Sequence, residues 1–71
     1  MDAHNDTRRD LEWLRRSSAA TLSRPEAAEV MGVDTRTLGR GIESGDIPAI
    51  RVGRRVLIPR EPLLRLLGVD E

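Results

Sequence analysis

Ser23-Arg24-Pro25-Glu26-Ala27-Ala28-Glu29-Val30-Met31-Gly32-Val33-Asp34-Thr35-Arg36-Thr37-Leu38 is the stretch on which the fold turns. It opens with a helix-start signal. Ser23 can cap, Pro25 suits a first turn whose N–H groups lack partners anyway, and Glu26 stands three residues after the serine to complete a capping box. Ala27, Ala28, Val30 and Met31 supply an apolar side. Gly32 then falls where a helix commonly ends in left-handed backbone. Asp34 caps a second helix that starts at Thr35 and runs to about Ser44, with Leu38 and Ile42 four apart on its inner face. Only Gly32 and Val33 lie between the first helix and the second cap, which forces a sharp crossing. Two short helices joined by such a glycine turn describe a helix-turn-helix.

Downstream, Gly45 closes the second helix and Asp46-Ile47-Pro48 leads into an alternating segment. If Ile50, Val52, Val56 and Ile58 share one core-facing side, Val52 pairs with Val56 and Gly53-Arg54-Arg55 forms a three-residue hairpin loop. A hairpin in that place is a wing. After Pro59, Arg60 to Leu67 reads as a final helix ended by Gly68, its leucines closing the core against the first helix of the motif and the hairpin. Upstream, Asp6 to Ser17 reads as an additional N-terminal helix capped by Asn5 or Asp6, with Leu11 and Leu14 as a thin apolar edge and Arg8/Glu12 and Glu12/Arg16 as i,i+4 pairs. Trp13 is expected to cover a neighbouring apolar surface. Ser17 to Ala20 reads as a linker. The expected organisation is therefore a tail with a candidate helix over 1–20, a winged helix-turn-helix over 21–68 and a short tail over 69–71, mainly α with one small β-hairpin.

Composition narrows what such a domain does. The 71 residues hold no cysteine, no tyrosine and one histidine, His4. That excludes a disulfide framework and a Cys/His zinc site, and with no Gly-rich phosphate loop it leaves no equipment for catalysis. No cofactor and no small-molecule substrate are expected. No apolar run is long enough to span a bilayer, and residues 1–7 lack the character of a signal peptide. A cytoplasmic protein, nucleoid-associated when bound, is the expectation.

Net charge is zero, but its distribution is uneven. All twelve cations are arginine. Six of them, Arg36, Arg40, Arg51, Arg54, Arg55 and Arg60, fall between positions 36 and 60, against only Glu43 and Asp46. The guanidinium fork matches phosphate and guanine edges with two parallel hydrogen bonds. Thr35, Arg36, Thr37 and Arg40 lie in the half of the second helix that addresses base edges in this motif. One of the two arginines can reach guanine while the other holds phosphate. A solvated helix face is the plainer reading of the same pair. Arg54 and Arg55 at the hairpin tip, joined by Arg51, suit the DNA backbone or a narrow minor groove. Charged hairpins also guard against strand-to-strand aggregation. Ser23, Arg24 and Arg60 are additional candidate phosphate contacts.

Residues Leu22 to Leu67 resemble the excisionase-type DNA-binding domain, a small relative of the MerR-like winged helix-turn-helix proteins. The resemblance rests on Leu22-Ser23-Arg24-Pro25-Glu26-Ala27-Ala28, Gly32-Val33-Asp34-Thr35-Arg36-Thr37-Leu38, Gly45-Asp46-Ile47-Pro48-Ala49, Arg51-Val52-Gly53-Arg54-Arg55 and Ile58-Pro59-Arg60-Glu61, in that order. It implies a recognition helix starting at Thr35, wing contacts from Arg54 and Arg55, and double-stranded DNA as partner. It also implies work as a recombination directionality factor, with an integrase and further copies of the chain as candidate partners, binding and bending attachment-site DNA for excision of a prophage or mobile element. The chain ends soon after the last helix, where MerR-like regulators continue into a dimerising helix, and this favours excision. A small transcription regulator is the second reading, and a protein-interaction adaptor the third. One departure stands out. Similar domains carry a bulky residue where Gly39 stands and an apolar one where Gly41 stands, and two interior glycines cost a helix about 1.5–2 kcal/mol relative to alanine.

Overall fold

The computed structural model describes residues 9–68. Seven elements follow in order: α1 (Leu11–Arg16), β1 (Thr21–Leu22), α2 (Arg24–Met31), α3 (Thr35–Glu43), β2 (Ile50–Val52), β3 (Arg55–Pro59) and α4 (Arg60–Leu66). The three strands form an antiparallel sheet in the order β1-β3-β2. Helices α2 and α3 with the β2–β3 hairpin make the winged helix-turn-helix expected from the sequence. No described helix is long and apolar enough to cross a membrane.

The local signals at the motif act as read. Ser23 Oγ accepts the Glu26 N–H at 3.3 Å while Glu26 Oε1 accepts the Ser23 N–H at 2.9 Å, a complete capping box. Gly32 ends α2 at φ 74°, a left-handed conformation that lets the Val33 N–H turn back to the Ala28 carbonyl at 3.0 Å. Asp34 Oδ1 accepts the Thr37 N–H at 2.8 Å and starts α3.

The core draws one fully buried large side chain from each of α1, β1, α3 and β3, namely Leu14, Leu22, Leu38 and Ile58, and two from α4, Leu63 and Leu64. Ala27 and Ala28 bring α2 close, and Val30, Met31, Ile42 and Ile47 pack around them partly buried. Each large apolar side chain buried contributes about 1.5–3 kcal/mol. Strand β2 contributes none, since all three of its residues are exposed.

Four expectations are corrected. First, the hairpin register is Ile50↔Leu57, Arg51↔Val56 and Val52↔Arg55, so the loop is the two residues Gly53-Arg54 rather than three. Gly53 has φ 60° and, among the described residues, no non-glycine has positive φ, the pattern of a type II′ turn, whose twist matches the strands it joins. A one-residue change of register reverses the faces. Val56 and Ile58 keep the core side, while Ile50 and Val52, 46% and 55% exposed, lie on the other with Leu57. Ile58 is met from β1 by Leu22 and belongs to the buried core, whereas Ile50 and Val52 do not pack against it.

Second, the sheet is larger than the one expected hairpin, since Thr21–Leu22 form a third strand that pairs with Pro59 and Ile58. Third, α1 begins at Leu11, and its cap is Asp10, whose Oδ1 accepts the Trp13 N–H at 3.0 Å. The expected caps Asn5 and Asp6 and the Arg8 end of the Arg8/Glu12 pair lie outside the described residues. Glu12 and Arg16 do meet, at 3.8 Å. Fourth, α4 packs on α1 as well as on β3 of the expected hairpin, its Leu63 and Leu64 sharing the core with Ala27 and Ala28 of α2. Leu14 is therefore sealed in the core, while Leu11 stays 39% exposed. Trp13 covers apolar surface as expected, and the Arg9 guanidinium sits 5.5 Å from its ring centroid.

Candidate nucleic-acid interface

On α3, Leu38 is sealed and Ile42 half-buried, which turns the opposite side outward. Thr35, Arg36, Thr37 and Arg40 are all exposed. Arg36 and Arg40, four apart, are neighbours on one face. Asp34 at the cap has its carboxyl held below its ordinary value of 3.8, first by the Thr37 hydroxyl and then by the Thr37 N–H. It is anionic at neutral pH and occupies the Thr37 amide. Of the first-turn amides expected to take phosphate, those of Thr35 and Arg36 stay open.

Tertiary structure adds a partner to this end of the helix. The sharp crossing of the motif sets the start of α2 beside the start of α3, so that Arg24, Pro25, Thr35 and Arg36 line one shallow groove of about 310 Å³. Two guanidiniums and two helix N-termini, each carrying partial positive charge, face the same space. Arg24 entered the sequence reading only as an additional contact. Its place beside Arg36 in the lining of one groove follows from helix crossing, which residue spacing alone does not display.

The wing arginines are not gathered on one surface. Arg51 pairs with Val56 and Arg55 with Val52, and adjacent pairs point to opposite faces, so Arg51 and Arg55 project on the two sides of the ribbon with Arg54 in the loop between them. All three are exposed. The hairpin is thus an edge with a guanidinium on each side.

Two of the additional candidates have internal work. Arg60 Nε donates to the Leu14 carbonyl at 2.8 Å and Nη2 to the Arg15 carbonyl at 2.7 Å. Those carbonyls belong to the last turn of α1, the negative end of the helix; the Leu14 carbonyl also accepts the Ser17 N–H at 3.3 Å. Arg60 therefore has its Nε and Nη2 engaged within the protein. The Ser23 hydroxyl is engaged in the capping box. Arg9, which no sequence motif marks, ties the N-terminal segment to α2. Its backbone N–H donates to Glu29 Oε2 at 3.0 Å, and its Nη1 lies 3.2 Å from Glu29 Oε1. The Glu26 carboxylate lies 3.8 Å from its Nε. By contrast, none of Arg24, Arg36, Arg40, Arg51, Arg54 and Arg55 is ion-paired with a described carboxylate.

A family model described as a helix-turn-helix domain matches residues 21–68. No curated protein and no solved structure matches the chain.

Proposed function

The chain belongs to the helix-turn-helix domain family, and from that premise we propose that it binds double-stranded DNA with α3 in the major groove and the β2–β3 hairpin on the flanking backbone or in the adjacent minor groove. The observation that carries the proposal is how the arginines are divided. Arg9, Arg16 and Arg60 are bound to groups of the protein itself. Arg36 and Arg40 on α3, and Arg51, Arg54 and Arg55 on the hairpin, are exposed and unpaired with described carboxylates. A ribbon with a cation on each side suits a groove walled by phosphates on both strands. The Arg24–Arg36 groove suits a phosphate beside the major groove.

The finer reading is an excisionase-like architectural protein that recognises a specific sequence. The motifs shared with that type of domain support it, and because one winged helix-turn-helix module buries too little surface for tight solitary binding, this reading has neighbouring copies on bent DNA supply the affinity. An integrase is the partner this reading requires.

The test is selection of sites from a randomised duplex library, followed by mobility shifts over a range of salt and footprinting on the DNA around the native gene. The expected result is a defined site, bound cooperatively in repeats about one helical turn apart with marked bending. A single unbent site would remove the architectural reading and leave a regulator. Absence of any complex in dilute buffer would remove DNA binding altogether.

A further inference from the structure

Packing separates the two interior glycines of α3. A Cβ on Gly41 would stand 2.6 Å from Ile47 Cδ1 and 3.1 Å from Ile47 Cγ1, so Gly41 makes room for the chain that folds back after α3. The Asp46 and Ile47 N–H groups confirm that return by donating to the Gly41 carbonyl at 2.9 and 3.1 Å. Gly39 has no such reason. A Cβ there meets nothing within 4 Å, and no positive φ calls for glycine. Alanine would fit the fold and favour the helix.

Position 39 lies three residues after Arg36, four after Thr35 and four before Glu43, so these side chains border it on the helix surface. Arg40 adjoins it in sequence. Gly39 is a notch of bare backbone at the border of the surface that carries the two free guanidiniums. We infer that Gly39 is a specificity-determining position at which the DNA duplex itself fills the notch, coming into van der Waals contact with the α3 backbone while Arg36 and Arg40 hold the groove on either side.

The inference rests on the DNA-binding reading above and deepens it. The contact is non-ionic and depends on shape. A methyl group in the notch therefore lifts α3 from the groove floor and disturbs base contacts, without removing a phosphate contact.

The experiment compares wild type, Gly39→Ala, Gly39→Ser and Arg54→Ala/Arg55→Ala on two probes of about 20 base pairs, two helical turns. One probe is the duplex that wild type selects from a random library, and the other is an unrelated mixed-sequence duplex. Gly39→Ala is expected to raise Tm by about 4–8 °C. It is expected to weaken binding to the selected duplex by about tenfold. Its affinity for the unrelated duplex and its salt slope stay at wild-type values. Gly39→Ser loses selectivity in the same direction. Selected-site affinity at or above wild type in either variant overturns the inference while DNA binding stands. So does a loss accompanied by a fall in Tm, which makes the glycine a folding requirement. If wild type binds neither duplex in dilute buffer, the DNA reading itself fails, and the unchanged salt slope of the arginine double variant would remove only the wing assignment.

Discussion

Single residues in this domain carry effects out of proportion to their size. Leu14 is the one fully buried large side chain that α1 supplies, and it lies outside the segment matched by the family model. Truncation to alanine is expected to cost about 2–5 kcal/mol. Cores of this size often hold only about 3–5 kcal/mol in total, so urea denaturation should find Leu14→Ala unfolded or close to it. Gly41→Ala should gain the helix preference of alanine and lose it again by displacing Ile47, leaving its midpoint below that of Gly39→Ala in the same denaturation series. Asp34 links the recognition helix to pH. Its carboxyl is held below 3.8 by Thr37, so the folded state favours the anion. The stabilisation is complete above the unfolded value and disappears as pH falls through the lowered folded value. Asp34→Asn should remove that component from the acid-unfolding curve and leave neutral-pH behaviour little changed, because asparagine also caps helices.

Among the elements, α1 and the hairpin depart furthest from what their sequences alone suggest. A six-residue helix is too short to persist by itself in water, and this one is held by Leu14 in the core, by Arg60 at its last carbonyls and by the Arg9 strap before it. Arg60→Met is expected to cost about 1–2 kcal/mol through the two lost hydrogen bonds, while the salt slope of DNA binding stays unchanged. A slope smaller by about 0.9 would place Arg60 in the phosphate set. In the hairpin, the alternation of apolar residues marks both strands correctly but misleads about their register. Turn chemistry prevails, since Gly53 supplies the one positive φ that a two-residue loop of this pattern needs.

For the whole molecule, net charge is a poor guide and the placement of charge a good one. Arginine is used in two ways: inside the domain, where it closes helix ends and ties the N-terminal segment to α2, and on α3 and the wing, where it is presented to solvent. If the wing engages phosphate as proposed, Arg54→Ala and Arg55→Ala should each reduce the logarithmic salt slope by about 0.9. Arg36→Ala and Arg40→Ala should reduce discrimination between the selected and unrelated duplexes more than they reduce general affinity. The helix-turn-helix was legible because its signals are local: the Ser23/Glu26 box, Gly32 and Asp34 each act within a few residues of themselves. The exposed arginines of α3 were legible for the same reason, since helical periodicity assigns a face without reference to the rest of the chain. By itself the chain of residues determined where α2 and α3 start, where α2 stops, and that cations gather between positions 36 and 60. Only tertiary structure decided that Thr21–Leu22 join the sheet, that Arg60 serves α1, that Arg24 and Arg36 line one groove and that Arg51 and Arg55 stand on opposite sides of the wing. Those outcomes depend on groups distant in sequence competing for the same hydrogen bonds and the same small core.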